Sequence, residues 1–297
     1  ASQISDQAAA QFPVRVPIGF IAKMRRGDAN DPLLRQVLPV LEEEELAEGF
    51  SFDAVGDAAA KGSTGVIHKY HGRALLITTG SCAIHCRYCF RRHFPYAEET
   101  AASSHWAEAI AYLKSDTSIS EVILSGGDPL SLSTIKLKEL SDQLLELPHV
   151  KRLRIHTRLP VVLPERVDAE LLAWLDALRW PVAVVIHANH ANELTQDVAD
   201  AVSQLRKYRC TVLNQAVLLR GVNDSVADQI RLSERLFEIG VLPYYLHQLD
   251  LVQGAAHFQI PDQQARDIYQ SMRRALPGYL VPKMVQEIAG EASKTPL

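Results

Sequence analysis

Three of the four cysteines in the chain lie within one short stretch. Cys82, Cys86 and Cys89 follow the spacing C-x3-C-x2-C, whereas Cys210 lies far downstream. Thiolates grouped in this way can hold a metal ion or an iron–sulfur cluster. A [4Fe–4S] cluster usually takes four cysteines. Three cysteines would therefore leave one iron open, and an open iron can bind a small molecule and act on it chemically.

The cysteines alone leave two other interpretations open. One is a zinc site in which His85 or His93 supplies the fourth ligand. The other is a loop of unliganded thiols. Structural zinc sites are usually built from two separated C-x2-C pairs, which this stretch does not have, so the spacing favours the cluster.

A glycine pair followed by an acid forms the second candidate. Gly126, Gly127 and Asp128 come directly after an apolar stretch with the pattern of a strand. Two glycines at the end of a strand allow the backbone to approach a ligand closely. The alternative is an ordinary strand-to-helix turn in which Asp128 caps the helix.

These residues must be positioned by a regular framework, and the sequence predicts one from residue 73 onward. Apolar, β-branched stretches typical of strands buried on both faces cover residues 74–78, 121–124, 152–156, 182–187, 211–218 and 244–249. Amphipathic stretches typical of helices cover residues 105–114, 137–147, 169–178, 197–207 and 226–239. Six strands alternating with helices predict right-handed βαβ units and a parallel sheet. We therefore expect an α/β fold, an open partial (βα)6 barrel with its active site at the C-terminal ends of the strands.

Two further segments flank this barrel, which we place at residues 71–260. Residues 1–70 are predicted to form a helical segment, with Asp31 as the N-cap of a helix over residues 32–41 and a loop over residues 49–65. Residues 261–297 are predicted to form one helix, over residues 262–275, and then a tail.

Composition limits the classes of protein. The chain has 297 residues, of which 47% are hydrophobic and 22% charged, and a net charge of −4. This balance predicts neither a nucleic-acid partner nor a membrane surface. No apolar stretch reaches the length of a membrane span, and residues 1–11 lack the pattern of a signal peptide. Clustered cysteines are not a secreted disulfide framework, so we expect a cytoplasmic protein.

Taken together, the motifs resemble those of the radical S-adenosylmethionine (radical SAM) enzymes, in which an aromatic residue, here Phe90, follows the last cysteine. Over roughly residues 15–297 the chain is similar to the lysine 2,3-aminomutase family. The blocks that carry this resemblance are residues 73–78, 89–94, 125–130, 158–164, 187–194, 214–215, 218–224 and 244–250.

The resemblance implies a fold, cofactors and their contacts. It implies a radical SAM barrel whose mouth is closed by the tail, and a [4Fe–4S] cluster held by the three cysteines. The amino and carboxylate groups of SAM would bind the open iron. Residues implied to contact SAM or to line the cofactor pocket are Gly126, Gly127, Asp128, His187, Asn214 and Gln215.

The resemblance also implies pyridoxal phosphate (PLP), which needs a lysine. The matching position is Lys294, in the segment of residues 290–296, and Arg73 matches an arginine that helps to hold PLP. A lysine so near the end of a sequence is otherwise typical of a solvated tail. We therefore expect the tail to fold back over the barrel mouth.

The implied substrate is free L-lysine. Arg91 matches the arginine that binds the substrate carboxylate, while Asp250 and Glu287 match the two acids that bind the distal ammonium. The implied reaction converts L-α-lysine to (R)-β-lysine and needs a reductant such as flavodoxin or ferredoxin. The cysteine loop is most similar to shorter family members whose product a separate lysyl ligase attaches to elongation factor P. Another amino-acid substrate, a non-catalytic metal-binding module and a homo-oligomeric state remain open at this point.

Overall fold

One sheet organises the molecule. The computed structural model describes residues 4–104 and 106–297, without the side chains of Ser103 and Ser104. Its ten strands lie side by side in chain order. They are β1 (Lys61–Ser63), β2 (Val66–Tyr70), β3 (Arg73–Thr79), β4 (Glu121–Gly126), β5 (Arg152–Thr157), β6 (Val182–His187), β7 (Thr211–Val217), β8 (Leu242–His247), β9 (Lys283–Gln286) and β10 (Thr295–Pro296).

Helices alternate with the central strands. The described α-helices are α1 (Asp6–Gln11), α2 (Ile18–Ile21), α3 (Pro32–Arg35), α4 (Ala107–Ser115), α5 (Thr134–Leu145), α6 (Leu159–Val162), α7 (Ala169–Ala177), α8 (Gln196–Lys207), α9 (Val226–Glu238) and α10 (Asp262–Ala275). The helix predicted from residue 105 begins at Ala107, and His105 itself lies outside the described residues. Among the described helices, none combines the length and the apolar character that a membrane crossing requires.

The predicted partial barrel is confirmed by β3 to β8. These six strands are parallel, and Leu76, Leu124, Ile155 and Val184 lie in register across the first four. All four side chains are buried because helices cover the outer face and side chains fill the inner face, as in other parallel sheets. The predicted site residues then fall where the strands end at one edge, which brings distant parts of the sequence together.

The N-terminal segment differs from the helical prediction. Asp31 does cap α3, accepting hydrogen bonds from the backbone of Leu33 and Leu34 at 2.8 and 3.0 Å. The helix ends at Arg35, however, and it could not have continued to residue 41, because Pro39 disfavours helical backbone in the residue before it. The segment also contributes β1 and β2, which add to the edge of β3 as an antiparallel hairpin.

The tail also joins the sheet. After α10 the chain returns as β9, which pairs in parallel with β8, and β10 then folds back antiparallel on β9. The backbone N–H of Leu297 donates to the carbonyl of Met284 at 3.2 Å. The tail is therefore a part of the barrel wall, one βα unit beyond the six that the sequence predicts.

Candidate active site

A cavity of about 700 Å³ lies at the C-terminal ends of the strands. It is lined by the cysteine loop, by the β1–β2 hairpin and by the tail. The residues predicted from sequence that line it are Arg73, Cys82, Cys86, Cys89, Arg91, Gly126, Gly127, Asp128, His187, Gln215, Asp250, Glu287 and Lys294. Asn214 is buried behind the cavity instead, where its side chain binds the N–H and C=O of Ala188 at 2.9 and 3.0 Å.

The cysteine loop follows β3 and presents three free thiols to the cavity. Burial raises the pKa of both Cys82 and Cys89, that of Cys89 to about 11, and the nearby Cys86 thiol raises both further, so the three cysteines are close enough to interact. Buried thiolates in such a group need a bound metal to neutralise them.

The two histidines considered as zinc ligands are directed elsewhere. His85 stacks on Phe12, and its Nδ1 lies 2.6 Å from the carbonyl of Pro13. His93 places Nε2 3.1 Å from the carbonyl of Gln253. Within the described residues, no three His, Cys, Asp or Glu side chains are close enough to hold one metal ion. Three thiolates without a fourth ligand suit a cluster, which spreads its ligands over several iron atoms.

The glycine pair packs directly against the cysteine loop. The N–H of Gly127 donates to the carbonyl of Thr79 at 2.7 Å, and that of Asp128 to the carbonyl of Ser81 at 2.8 Å. A Cβ at Gly127 would lie 2.5 Å from the Ser81 oxygen, and Gly126 has φ +115°. Glycine is therefore required here for the approach of two backbones, in addition to any approach to a ligand.

Asp128 links this turn to the end of β5. Its carboxylate accepts hydrogen bonds from the Thr157 hydroxyl at 2.7 Å and from the N–H groups of Arg158 and Leu159 at 2.6 and 3.2 Å. Burial raises the pKa of Asp128 to about 6 despite these donors. The acid thus fixes the backbone that carries Arg158.

Residues of alternating charge line the cavity from the cysteine loop to the tail. Arg91 Nε donates to Asp57 at 2.7 Å, and Lys69 lies between Asp57 and Glu287 at 2.7 and 2.9 Å. Glu287 in turn accepts from Lys294 at 2.5 Å. Asp57 and Lys69 belong to the N-terminal segment, and the sequence analysis did not identify them. The only signal for them in the sequence was the presence of basic and acidic residues near a stretch in which no hairpin was predicted.

Two acids of this region have opposite environments. Burial raises the pKa of Glu287, but Lys294 and Lys69 outweigh it and hold that pKa at about 2. Burial and the Glu287 charge raise the pKa of Asp250 to about 7. Asp250 Oδ1 is also buried without a hydrogen-bond partner in the described structure. This carboxylate is therefore ready to receive a cation that enters the cavity.

Comparisons with known proteins agree with this geometry. Residues 76–232 match the model of the radical SAM superfamily. The chain is 48% identical to an L-lysine 2,3-aminomutase of Escherichia coli, over 96% of this chain and 83% of that protein. It is 47% identical to the Haemophilus influenzae protein of the same name, over 96% and 84%. The chain belongs to the lysine 2,3-aminomutase family.

More distant members of the family also match. The Clostridium subterminale L-lysine 2,3-aminomutase is 35% identical over 94% of this chain and 67% of its own length. Members of this family are radical SAM isomerases, so this chain is an enzyme with a [4Fe–4S] cluster and SAM as cofactors. The three cavity-facing thiolates are the residues that fit the cluster.

Three neutral histidines also line the cavity of this family member. His156, His187 and His247 each have a buried Nε2 without a hydrogen-bond partner, and burial lowers the pKa of all three, that of His187 to about 3. Neutral rings with unpaired nitrogens indicate a polar ligand. His156 and His247 were missed from sequence because each ends an otherwise ordinary strand. His190, three residues after His187, is not among the residues that line the cavity, and its Nε2 lies 3.5 Å from Asp228.

Arg73 completes the cationic part of the wall. It begins β3, and its guanidinium carbon lies 4.6 Å above the ring of Tyr70. With Lys69 and Lys294 it belongs to a set of lining cations that fits an anionic group such as a phosphate.

Proposed function

We propose that this enzyme converts L-α-lysine to (R)-β-lysine with a [4Fe–4S] cluster, SAM and PLP. The observation that supports the proposal most is the shared cavity. It has three thiolates on one side and, on the other, a lysine, an unpaired carboxylate and several cations. A substrate held between these sides would be within reach of both kinds of chemistry.

When bound, the cluster and SAM supply a 5′-deoxyadenosyl radical, and PLP supplies the carbonyl carbon that carries the migrating nitrogen. The protein must hold and orient these groups. Cys82, Cys86 and Cys89 would hold the cluster, and Lys294 would hold PLP. The ammonium of Lys294 is paired with Glu287, 2.5 Å away. This ion pair must break before the lysine nitrogen can react.

Arg91 is suited to bind the substrate carboxylate. Asp57 fixes its Nε edge, and its NH1 lies 3.4 Å from the hydroxyl of Ser125. The guanidinium is therefore held at a defined angle beside the cysteine loop, as a bidentate partner of a carboxylate should be.

Asp250 and Glu287 would select the distal ammonium of lysine. Asp250 has an unpaired oxygen, and Glu287 would lose one of its two cations once Lys294 is bound to PLP. A neutral or acidic side chain would leave Asp250 unpaired in a buried site, which costs about 1–3 kcal/mol or more. This argument favours lysine over other amino acids.

The β1–β2 hairpin and the tail would exclude water from the radical. Ile67 and Tyr70 line the cavity from one side, and Met284, Pro296 and Leu297 line it from the other. Exclusion of water prevents side reactions of the intermediate.

The assay that tests the proposal is anaerobic turnover of L-lysine with SAM, PLP and a reductant, followed by chromatographic identification of β-lysine. Asp250→Asn is the loss-of-charge variant, and Asp267→Asn, on the outer surface of α10, is its matched control. Norleucine should be a poor substrate of the unmodified enzyme. Equal turnover of norleucine, or of a different amino acid in preference to lysine, would contradict the lysine assignment.

We further propose that the product serves the modification of elongation factor P in the cytoplasm. The similarity of the cysteine loop to the shorter family members supports this step. Incubation of the enzyme and its product with elongation factor P and the lysyl ligase should add β-lysine to the factor, as seen by mass spectrometry. Lysine turnover without transfer of β-lysine to elongation factor P would contradict the proposed pathway but not the aminomutase activity.

A further inference from the structure

A buried arginine makes a direct hydrogen bond to one of the cluster cysteines. Arg158 follows β5, and only 6% of its surface is exposed. Its NH1 lies 2.6 Å from Cys86 Sγ and 2.8 Å from the hydroxyl of Tyr88. The cation therefore points at a ligand sulfur from inside the protein.

The other face of Arg158 is neutralised by an acid. NH2 donates to Glu193 at 2.9 Å and to the side-chain oxygen of Gln36 at 2.6 Å. Glu193 is fully buried and accepts further bonds from the N–H groups of Asn189 and His190 at 2.9 and 3.0 Å. The pair thus has a fixed direction, with its positive end at the sulfur and its negative end away from it.

The position of this pair is set by the same turn that supports the cysteine loop. The carboxylate of Asp128 holds the backbone N–H of Arg158, and the N–H of Asp128 is bound to the carbonyl of Ser81 in the cysteine loop. The backbone from which the guanidinium extends is therefore tied to the loop that carries Cys86.

We infer that Arg158 is a positioning residue that raises the reduction potential of the cluster, and that Glu193 partly offsets it. Reduction adds one electron, and so one negative charge, to the cluster. Hydrogen bonds to the sulfurs and nearby charge are the main protein influences on this potential. A cation within hydrogen-bond distance of Cys86 Sγ stabilises the reduced form more than the oxidised form. The inference depends on the cluster alone, whatever the amino-acid substrate is.

The test is a redox titration of the reconstituted enzyme, monitored by electron paramagnetic resonance, with iron content measured on each sample. In Arg158→Gln the ratio of reduced to oxidised cluster at a fixed potential should fall at least tenfold, which corresponds to a shift of ~59 mV for one electron. In Glu193→Gln the ratio should rise. Arg166→Gln is the matched control, because Arg166 lies in the same connection and binds the carbonyls of Leu130 and Leu132 without a sulfur contact, and it should leave the potential unchanged.

The reduction potential should move in opposite directions in Arg158→Gln and Glu193→Gln, and this distinguishes the proposed role from a purely structural one. Damage to the fold would lower the iron content in both variants without moving the potential of the clusters that remain. If Arg158→Gln does not retain iron, Arg158→Lys replaces it, and its potential should still lie below that of the unmodified enzyme because the fixed fork to the sulfur is lost. An unchanged potential in a variant at position 158 that retains iron, or a fall in Glu193→Gln, overturns the inference.

Discussion

The two sides of the cavity are built in different ways. On the cluster side, Arg87 and Arg92 share Glu43, and the side chains of all three are 3% exposed or less. On the tail side, Glu287 forms salt bridges with both Lys69 and Lys294, and these side chains keep 14–21% of their surface exposed. One side is closed within the core, while the other borders the open space of the cavity.

The difference indicates that the ion pairs of the cluster side have a structural role, whereas those of the tail side can exchange partners. Breaking a buried, hydrogen-bonded ion pair costs about 3–5 kcal/mol because a charge is left unpaired, and this cost falls towards the ~0–1 kcal/mol of an exposed pair as solvent screens the charges. The cluster side is therefore expected to be rigid. The tail side can change its ion partners as cofactor and substrate arrive, at a small cost in stability.

The largest expected effect is on the cluster side. Cys86→Ala should lose the cluster and all cleavage of SAM while the protein stays folded, because one of three thiolate ligands is removed. Iron analysis, circular dichroism and the yield of 5′-deoxyadenosine measure this. Cys210→Ala, in the core away from the cavity, is the control and should keep its iron. Full iron and turnover in Cys86→Ala would show that the loop does not hold the cluster.

On the tail side, Lys294→Ala should stop turnover and yet keep full iron content. Borohydride reduction followed by peptide mapping should place the PLP label on Lys294 of the unmodified enzyme. Lys283→Ala, on the neighbouring strand, is the matched control and should keep the label. Removal of residues 290–297 should give the same result as Lys294→Ala, since the cluster loop follows β3. A label on Lys283 would show that PLP is bound by that lysine and would contradict the prediction.

Stability should distinguish the two sides directly. Arg87→Met removes donors to Glu43 and to the carbonyls of Ala8 and Phe12, and should lower the free energy of unfolding by about 3–5 kcal/mol. Lys294→Met should lower it by less, because Glu287 keeps Lys69 as a partner and solvent partly screens this side of the cavity. Denaturant titration of the two variants under the same anaerobic conditions gives both values. Equal losses would remove the distinction between a rigid and an exchangeable side.

The smallest expected effect concerns substrate charge and pH. Asp250 must be ionised to bind an ammonium, and burial with the Glu287 charge raises its pKa to about 7, so kcat/KM for lysine should rise as pH increases through this value. Asp250→Asn should lower kcat/KM by roughly 30-fold or more, equivalent to about 2–5 kcal/mol, and should remove this pH limb. An unchanged limb in the variant would assign the titration to another group.

The central barrel could be predicted from sequence because its signals are local. Buried parallel strands are continuous apolar runs, and β6 begins and ends as predicted. The β1–β2 hairpin could not be predicted in this way, since β1 has three residues and neither strand alternates clearly. The family resemblance supplied Lys294 and Glu287, but not Lys69, which also pairs with Glu287.

The missing partners are non-local. Lys69 and Glu287 are 218 positions apart, and Arg158 and Cys86 are 72 apart. No pattern of charge or hydrophobicity in a single sequence specifies such pairs, because they depend on which strands become neighbours in the sheet. The roles of Asp57 and Glu193 became visible only with the fold.

The placement of Lys294 in the last hairpin has a consequence for biosynthesis. About two hundred residues separate Cys89 from Lys294, so at ~5–20 residues per second the ribosome completes the cysteine loop roughly 10–40 s before the lysine. The emerging chain thus offers three thiolates to an iron–sulfur carrier during a period in which it has no β9–β10 wall. A cofactor that is held by Lys294 could be retained only after β9 and β10 have left the ribosome, so metal loading would have the first opportunity at an open barrel.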